Sequence, residues 1–280
     1  METTSRQNEN LSLNTAIVRK VLVDFLRDET RNAGFQKGLI GLSGGVDSAV
    51  VAYLAVEALG KENVCGVFMP YRTSSPQSSE DAELVAKTLG IRAERVDISP
   101  MVDPLLTREQ GIDRIRAGNV MARERMIVLY DISSRDKALV FGTSNKTELL
   151  LGYGTLFGDM ACAINPLGDL YKSQVWQLGE ALGVPDRIVR KQPTADLWEG
   201  QTDEGEFGFT YPRVDYLLYL MIDERRKDEE LRAAGFDDAF IAKVRSLVMK
   251  SQFKRRPPVI AKISHRTVNI DFRYARDWGI

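Results

Sequence analysis

Histidine and cysteine are nearly missing from these 280 residues, which hold one His and two Cys, and each scarcity removes a class of chemistry. A Ser-His or Cys-His hydrolase would have to rely on His265, which stands in a polar C-terminal segment far from any nucleophile motif and reads as a solvated surface group. Cys65 and Cys162 are too few for a disulfide scaffold or a cysteine zinc site, and Cys65, inside an apolar run, reads as a small core residue. The reducing cytoplasm is the expected compartment. An excess of charge is missing too. Thirty-eight Lys and Arg stand against 39 Asp and Glu, for a net charge of −1, so neither nucleic acid nor a membrane surface is an expected partner. No apolar run approaches a membrane span. Residues 1–12 lack the apolar stretch of a signal peptide and are expected to fray. What remains is ordinary for a soluble globular chain: 44% hydrophobic and 28% charged residues. One domain over residues 1–280 is the simplest division.

Apolar periodicity orders the chain. Leu13, Ile17, Val21, Phe25 and Leu26 are spaced as one face of a helix over residues 13–33. Strands are expected from residue 39, at 64–69, at 91–98 and at 138–142, with helices to Leu59, over 78–89 and over 119–135. This alternation predicts an α/β fold, a doubly wound parallel sheet with a helical C-terminal elaboration. Ligands of such sheets lie beyond the carboxyl ends of the strands, so the loops at 43–48, 70–79 and 143–148 should converge. Arg72, in the second of these, is a candidate nucleotide contact.

The most informative stretch is Leu39-Ile-Gly-Leu-Ser-Gly-Gly-Val-Asp-Ser48. A buried strand ends in glycines and a helix begins at once, so unobstructed backbone N–H groups can cradle an anion at a helix N-terminus. Asp47 would repel phosphates unless a divalent cation with a taste for hard oxygens, such as Mg²⁺, sits between them. The loop is neither a Walker A nor a dinucleotide fingerprint. Ser43 to Ser48 instead resembles the pyrophosphate loop of the N-type ATP pyrophosphatases, which cleave ATP between its α and β phosphates. A second constellation, Gly142-Thr-Ser-Asn-Lys-Thr-Glu148, also leaves a strand and starts a helix. Glu148 reads equally as a helix-start acid or as a second carboxylate beside Asp47.

The order of motifs extends the resemblance. The loop is followed by Asn119-Val-Met-Ala-Arg123, Gly142 to Glu148, Gly154-Thr-Leu-Phe-Gly-Asp159, Lys172, Pro193-Thr-Ala-Asp-Leu197, Trp198 to Glu204 and Lys254-Arg-Arg-Pro-Pro258. Together these closely resemble the NAD synthetase family. The resemblance implies a Rossmann-like sheet of the adenine nucleotide alpha hydrolase type and a set of roles. Gly41, Leu42, Ser43, Gly44, Gly45, Val46, Asp47 and Ser48, with Thr143, Lys172 and Thr194, would hold ATP. Asp47 and Glu148 would bind Mg²⁺, and with Lys172 would be the catalytic groups. Arg123, Asp159 and Lys254 would contact deamido-NAD. Phe253, Leu156 and Ala163 depart from residues that some members carry at the dinucleotide, and Arg255 or Arg256 is expected to compensate.

The implied reaction has two steps. The nicotinate carboxylate of deamido-NAD attacks the α-phosphate of ATP, and ammonia then attacks the acyl adenylate, releasing AMP and NAD. Glutamine-dependent members carry a long N-terminal amidase domain, and about 38 residues before the first strand are too few for one, so free ammonia is the expected donor. A homodimer built partly by the N-terminal helix, through Val21 and Phe25, is also expected. Two rival readings stand beside this one: another N-type ATP pyrophosphatase with a different acceptor, and a non-catalytic nucleotide sensor.

Overall fold

Leu39 and Ile40 are neighbours in sequence and both fully buried, yet they serve different cores, because successive side chains of a strand point to opposite faces. This double burial explains the unbroken apolar run of strand β1 (Lys37–Gly41) and requires helices on both sides of the sheet. The structure, a computed structural model, describes residues 10–108, 111–198, 200–268 and 271. Strands β1, β2 (Val64–Phe68), β3 (Arg92–Arg95) and β4 (Ala138–Phe141) are all parallel, in the order β3-β2-β1-β4. The expected doubly wound sheet is present.

One face is covered by α1 (Thr15–Asn32), α2 (Val46–Leu59) and α3 (Pro76–Leu89), whose core includes Leu26, Val50, Leu54 and Val85. The other is covered by α4 (Ser99–Thr107) and α5 (Arg114–Asp136), with Val102, Met121, Val128 and Ile132 packed under Leu39 and Val67. Helix α4 falls in a stretch where the sequence pattern predicts no element, between the expected strand at 91–98 and the expected helix at 119–135. Pro100 falls in the first turn, where its missing N–H leaves no helical bond unmade. The predicted strand at 91–98 shrinks to four residues at the sheet edge, although Val96 and Ile98 still donate to Phe68 and Pro70.

Beyond β4 the chain is helical, as expected. A second core of Leu151, Tyr171, Val214, Leu217, Phe236 and Phe240 gathers α6 (Lys146–Leu151), α7 (Lys172–Leu182), α10 (Tyr211–Leu218) and α12 (Asp238–Lys250). Between them lie α8 (Asp186–Val189) and α9 (Asp203–Phe207), and α11 (Asp228–Ala233) precedes α12. Helix α7 packs on α2 on one side and on α10 on the other, so the helical part is fixed against the helix that starts at the glycine loop.

The expectation of fraying through residue 12 does not hold to its end. Residues 1–9 lie outside the described residues, but Leu11 is buried in the second core, and its carbonyl accepts from Gln177 Nε2 at 3.0 Å. Phe25, expected on a free face of α1 with Val21, packs on the chain's own core instead, and Ile17 and Val21 are the exposed pair.

Candidate active site

The glycine loop is held from beneath. Ser48, buried at the start of α2, accepts from Ser43 N at 3.2 Å and donates to the Gly45 carbonyl at 3.0 Å, while Ser43 Oγ accepts from Gly45 N. Ser48 is therefore a tie within the loop and does not line the cavity that the loop borders. Gly44 has φ +76°, and a Cβ there would sit 2.2 Å from the Ser78 carbonyl oxygen, so only glycine lets α3 close on the loop.

That cavity, about 480 Å³, opens at the carboxyl ends of the strands, where the topology places a ligand site. Gly41, Leu42, Ser43, Gly45, Val46 and Asp47 line one end. Thr143, Glu148 and Lys172 join them there, Thr194 stands on a later loop, and Asp159 and Lys254 also line the wall. The three predicted loops do converge.

At the loop end the charges are tightly arranged. Lys172, buried at the first position of α7, forms an ion pair with Asp47 Oδ2, and its Nζ is 3.7 Å from Glu148 Oε1. Burial opposes the Lys172 charge, but the two carboxylates outweigh it and hold the proton well above the usual lysine range. Burial, with the neighbouring Asp47 charge, pushes the Glu148 carboxyl up to about 8. Both readings of Glu148 are realised in one side chain: Oε2 accepts from Asn145 N at 3.2 Å as part of a capping box on α6, while Oε1 faces Lys172. Asp215, fully buried, accepts from Thr147 Oγ1 at 2.6 Å, and that hydroxyl accepts from Lys172 N at 3.0 Å, which fixes where α7 begins.

Several expected contacts lie elsewhere. Arg123 is exposed on α5 and donates to the Leu156 carbonyl at 3.4 Å; it does not line the cavity, because it falls on the outer side of the helix. Two residues on, Arg125 does line it, donating from Nε to the Met69 carbonyl at 3.0 Å. Arg72 pairs with Asp103 outside the cavity. Arg255 cannot compensate for the departures at 253, 156 and 163. Its guanidinium donates to the carbonyls of Leu149, Leu150 and Val248, which closes the end of α6 onto α12. Lys254 Nζ lines the cavity while donating to Gly152 and Gly154 carbonyls at 2.8 and 2.7 Å. Asp159, whose pKa is raised by burial, accepts from Thr155 N at 2.8 Å.

Sequence reasoning gave no role to Asn145, which ties the site together from behind, or to Asp203 on the cavity wall. Asn145 caps α6 by accepting from Glu148 N and donates to Asp47 Oδ1 at 2.9 Å, which joins the two motifs directly. Asp203 accepts from Tyr153 and Tyr211 hydroxyls, each at 2.9 Å, and burial lifts its pKa. Both stand inside quoted motifs, so the signal was position within a motif.

The sequence model of the NAD synthase family matches residues 18–258. This chain belongs to the NAD synthase family. An NH(3)-dependent NAD(+) synthetase of Trichlorobacter lovleyi is 58% identical over 269 residues, covering 96% of this chain and 98% of the relative. Among solved structures, an NMN synthetase from Francisella tularensis superposes with a TM-score of 0.79 at 33% identity, over 90% of this chain and all of that one. An NH3-dependent NAD synthetase from Campylobacter jejuni gives 0.76 at 34%, over 89% and 100%.

Proposed function

We propose that the chain makes NAD from deamido-NAD, ATP and ammonia through an acyl adenylate, with AMP and pyrophosphate as the other products, and that its sheet and helical elaboration work as one unit. The observation that carries this reading is the meeting of the glycine loop, Glu148 and Lys172 at one end of a cavity whose wall also holds Asp159 and Lys254. Family membership and the similarity to ammonia-dependent synthetases support the substrates.

A carboxylate resists ammonia because oxide would have to leave. Attack of the nicotinate oxygen on the α-phosphorus breaks the bond to the β-phosphate and leaves the electron pair on pyrophosphate. Ammonia then adds to the acyl carbon, a proton is lost, and AMP departs. In this chain the loop N–H groups bind phosphate oxygens, Lys172 offsets charge developing on the leaving group, and Thr143 and Thr194 donate to phosphate oxygens. Asp159 and Lys254, which line the cavity wall, orient the dinucleotide. The donor set fits Mg²⁺: two carboxylates facing a single buried lysine, one of them so poorly compensated that it keeps its proton near neutrality. Asp47 and Glu148 would hold the ion, which supplies charge neutralisation on the phosphates.

Nitrogen-donor preference tests the reading. NAD formation should proceed with ammonium and be poor with ammonia-free glutamine; equal rates would refute the ammonia assignment. Nicotinate mononucleotide, run in parallel with deamido-NAD, should be the weaker acceptor, and a clear preference for it would replace the dinucleotide.

Ion binding should also be linked to pH. Glu148 is held protonated up to about pH 8, so a cation must displace that proton to be ligated. Mg²⁺ affinity is then expected to rise about tenfold per pH unit below that value and to level above it. Calorimetric titration across this range, in buffers of different ionisation heat, reads the released proton, and a pH-independent affinity would remove the coupling.

The active assembly is a homodimer. Ile17 and Val21 leave apolar surface on α1, 60% and 58% exposed, and Ile127 does so on α5, the helix that also carries Arg123. Sedimentation should give a dimer for the wild type and a shift toward monomer for Ile17→Asp with Val21→Asp. A wild-type monomer would count decisively against it. No described helix is long and apolar enough to cross a membrane.

A further inference from the structure

The reaction proposed above leaves one cation at the glycine loop without a role. Lys191 follows α8 closely and lines the cavity beside the loop. Its Nζ lies 3.0 Å from Asp81 Oδ2, 3.2 Å from Ser78 Oγ and 3.4 Å from the carbonyl oxygen of Gly44. The first contact is an ion pair with a carboxylate that is only 1% exposed. The other two are neutral and stand at the long end of hydrogen-bond range.

Asp81 is shared. Arg187 Nε approaches its Oδ1 at 2.9 Å, and Gln77 Nε2 donates to the same oxygen at 3.0 Å. Two cations share this one carboxylate, so Asp81 does not neutralise Lys191 by itself. Its position is also fixed relative to the loop, because Ser78 and Asp81 both belong to α3, and the Ser78 backbone is jammed against Gly44 with no room for a side chain between them. An ammonium anchored on one side by a buried carboxylate, and touching a phosphate-type loop on the other through weak neutral acceptors, is arranged to exchange those acceptors for anionic oxygens. Charge-assisted bonds to phosphate are shorter and stronger than the ones they would replace.

We propose that Lys191 binds the pyrophosphate end of ATP, giving up the Gly44 carbonyl and the Ser78 hydroxyl for phosphate oxygens while Asp81, itself held by Arg187 and Gln77, stays as its anchor. The proposal rests on the ATP reading above and extends it to the leaving group. When the bond between the α and β phosphates breaks, the electron pair stays on pyrophosphate, and Lys191 stabilises that charge without transferring a proton. Lys172, tied to Asp47 and Glu148, and Lys191, tied to Asp81, then contact the triphosphate from two separate anchors.

The test is direct binding of inorganic pyrophosphate and, separately, of AMP to the full chain in the presence of Mg²⁺. Lys191→Met should weaken pyrophosphate by about 10- to 100-fold, the worth of one charge-assisted bond, and leave AMP within about twofold. Lys191→Arg should recover much of the loss, since Asp81 and the loop remain in reach of a cation. Unchanged pyrophosphate affinity in Lys191→Met would overturn the assignment, as would an equal loss for AMP, which is what a disturbed loop would give. A measurement on the wild type guards against a variant that misfolds: pyrophosphate, but not AMP, should protect Lys191 from amine acetylation read by mass spectrometry, and absence of that protection also overturns it. A wild type that binds pyrophosphate but makes no NAD would refute the reaction and spare Lys191.

Discussion

Asp47→Asn is expected to lower pyrophosphate release from ATP and deamido-NAD by about 10³-fold or more, while the fold survives. The side chain has two partners, Asn145 Nδ2 at 2.9 Å and the buried ammonium of Lys172. An asparagine can keep the first by turning its carbonyl oxygen toward Asn145, so the link between the glycine loop and the start of α6 persists. It cannot keep the charge. The loop then loses its hard anionic ligand, and Lys172 swings its allegiance wholly to Glu148. Pyrophosphate release followed with a coupled assay, alongside a thermal melt, separates the two effects. Release within tenfold of wild type would sink the role given to Asp47.

Lys172→Met is expected to cost both activity and stability. The methionine fills most of the volume, yet Asp47 and Glu148 are left facing one another with no cation between them. Removing one partner of a buried charge cluster typically destabilises by about 3–5 kcal/mol. Glu148 relieves part of this by holding its proton still higher than the value of about 8 it has beside Lys172, so the loss should fall toward the lower end of that range. Mg²⁺ should restore stability in the variant more than in the wild type, because it supplies the missing positive charge. Urea unfolding with and without Mg²⁺ gives both numbers, and a variant as stable as wild type without the ion would show that the cluster is not held by Lys172.

What could be read in the sequence followed local physics. The strand, glycine turn and helix around Ser43 are legible because apolar run, turn and helical spacing follow one another within twenty residues. Asp47, Glu148 and Lys172 fell into place through motif order, and for the first two the sheet-edge rule brought their loops together. What escaped depends on contacts across long stretches of chain. Asn145 reaches Asp47 over 98 positions and Lys191 reaches Gly44 over 147, and neither partner marks the other in sequence. Helix α4 was not read because it is only nine residues long and carries two prolines, Pro100 in its first turn and Pro104 inside it. Arg123 and Arg125 differ by two positions, which on a helix is nearly opposite sides, so which of them meets the cavity depends on how α5 is rolled on the sheet.

Helix α6 has six residues and a length of about 9 Å. At its first turn Glu148 completes the capping box and touches Lys172, and at its far end the Gly152 carbonyl is gripped by Lys254. A rod this short has no interior to absorb a displacement. Drawing Glu148 toward the phosphate loop therefore loosens or tightens the grip at Gly152, and occupancy at the Lys254 end shifts the readiness of Glu148 by the same free energy. With the roles proposed for Glu148 and Lys254, ATP and deamido-NAD are expected to change each other's affinity through a single turn and a half of helix.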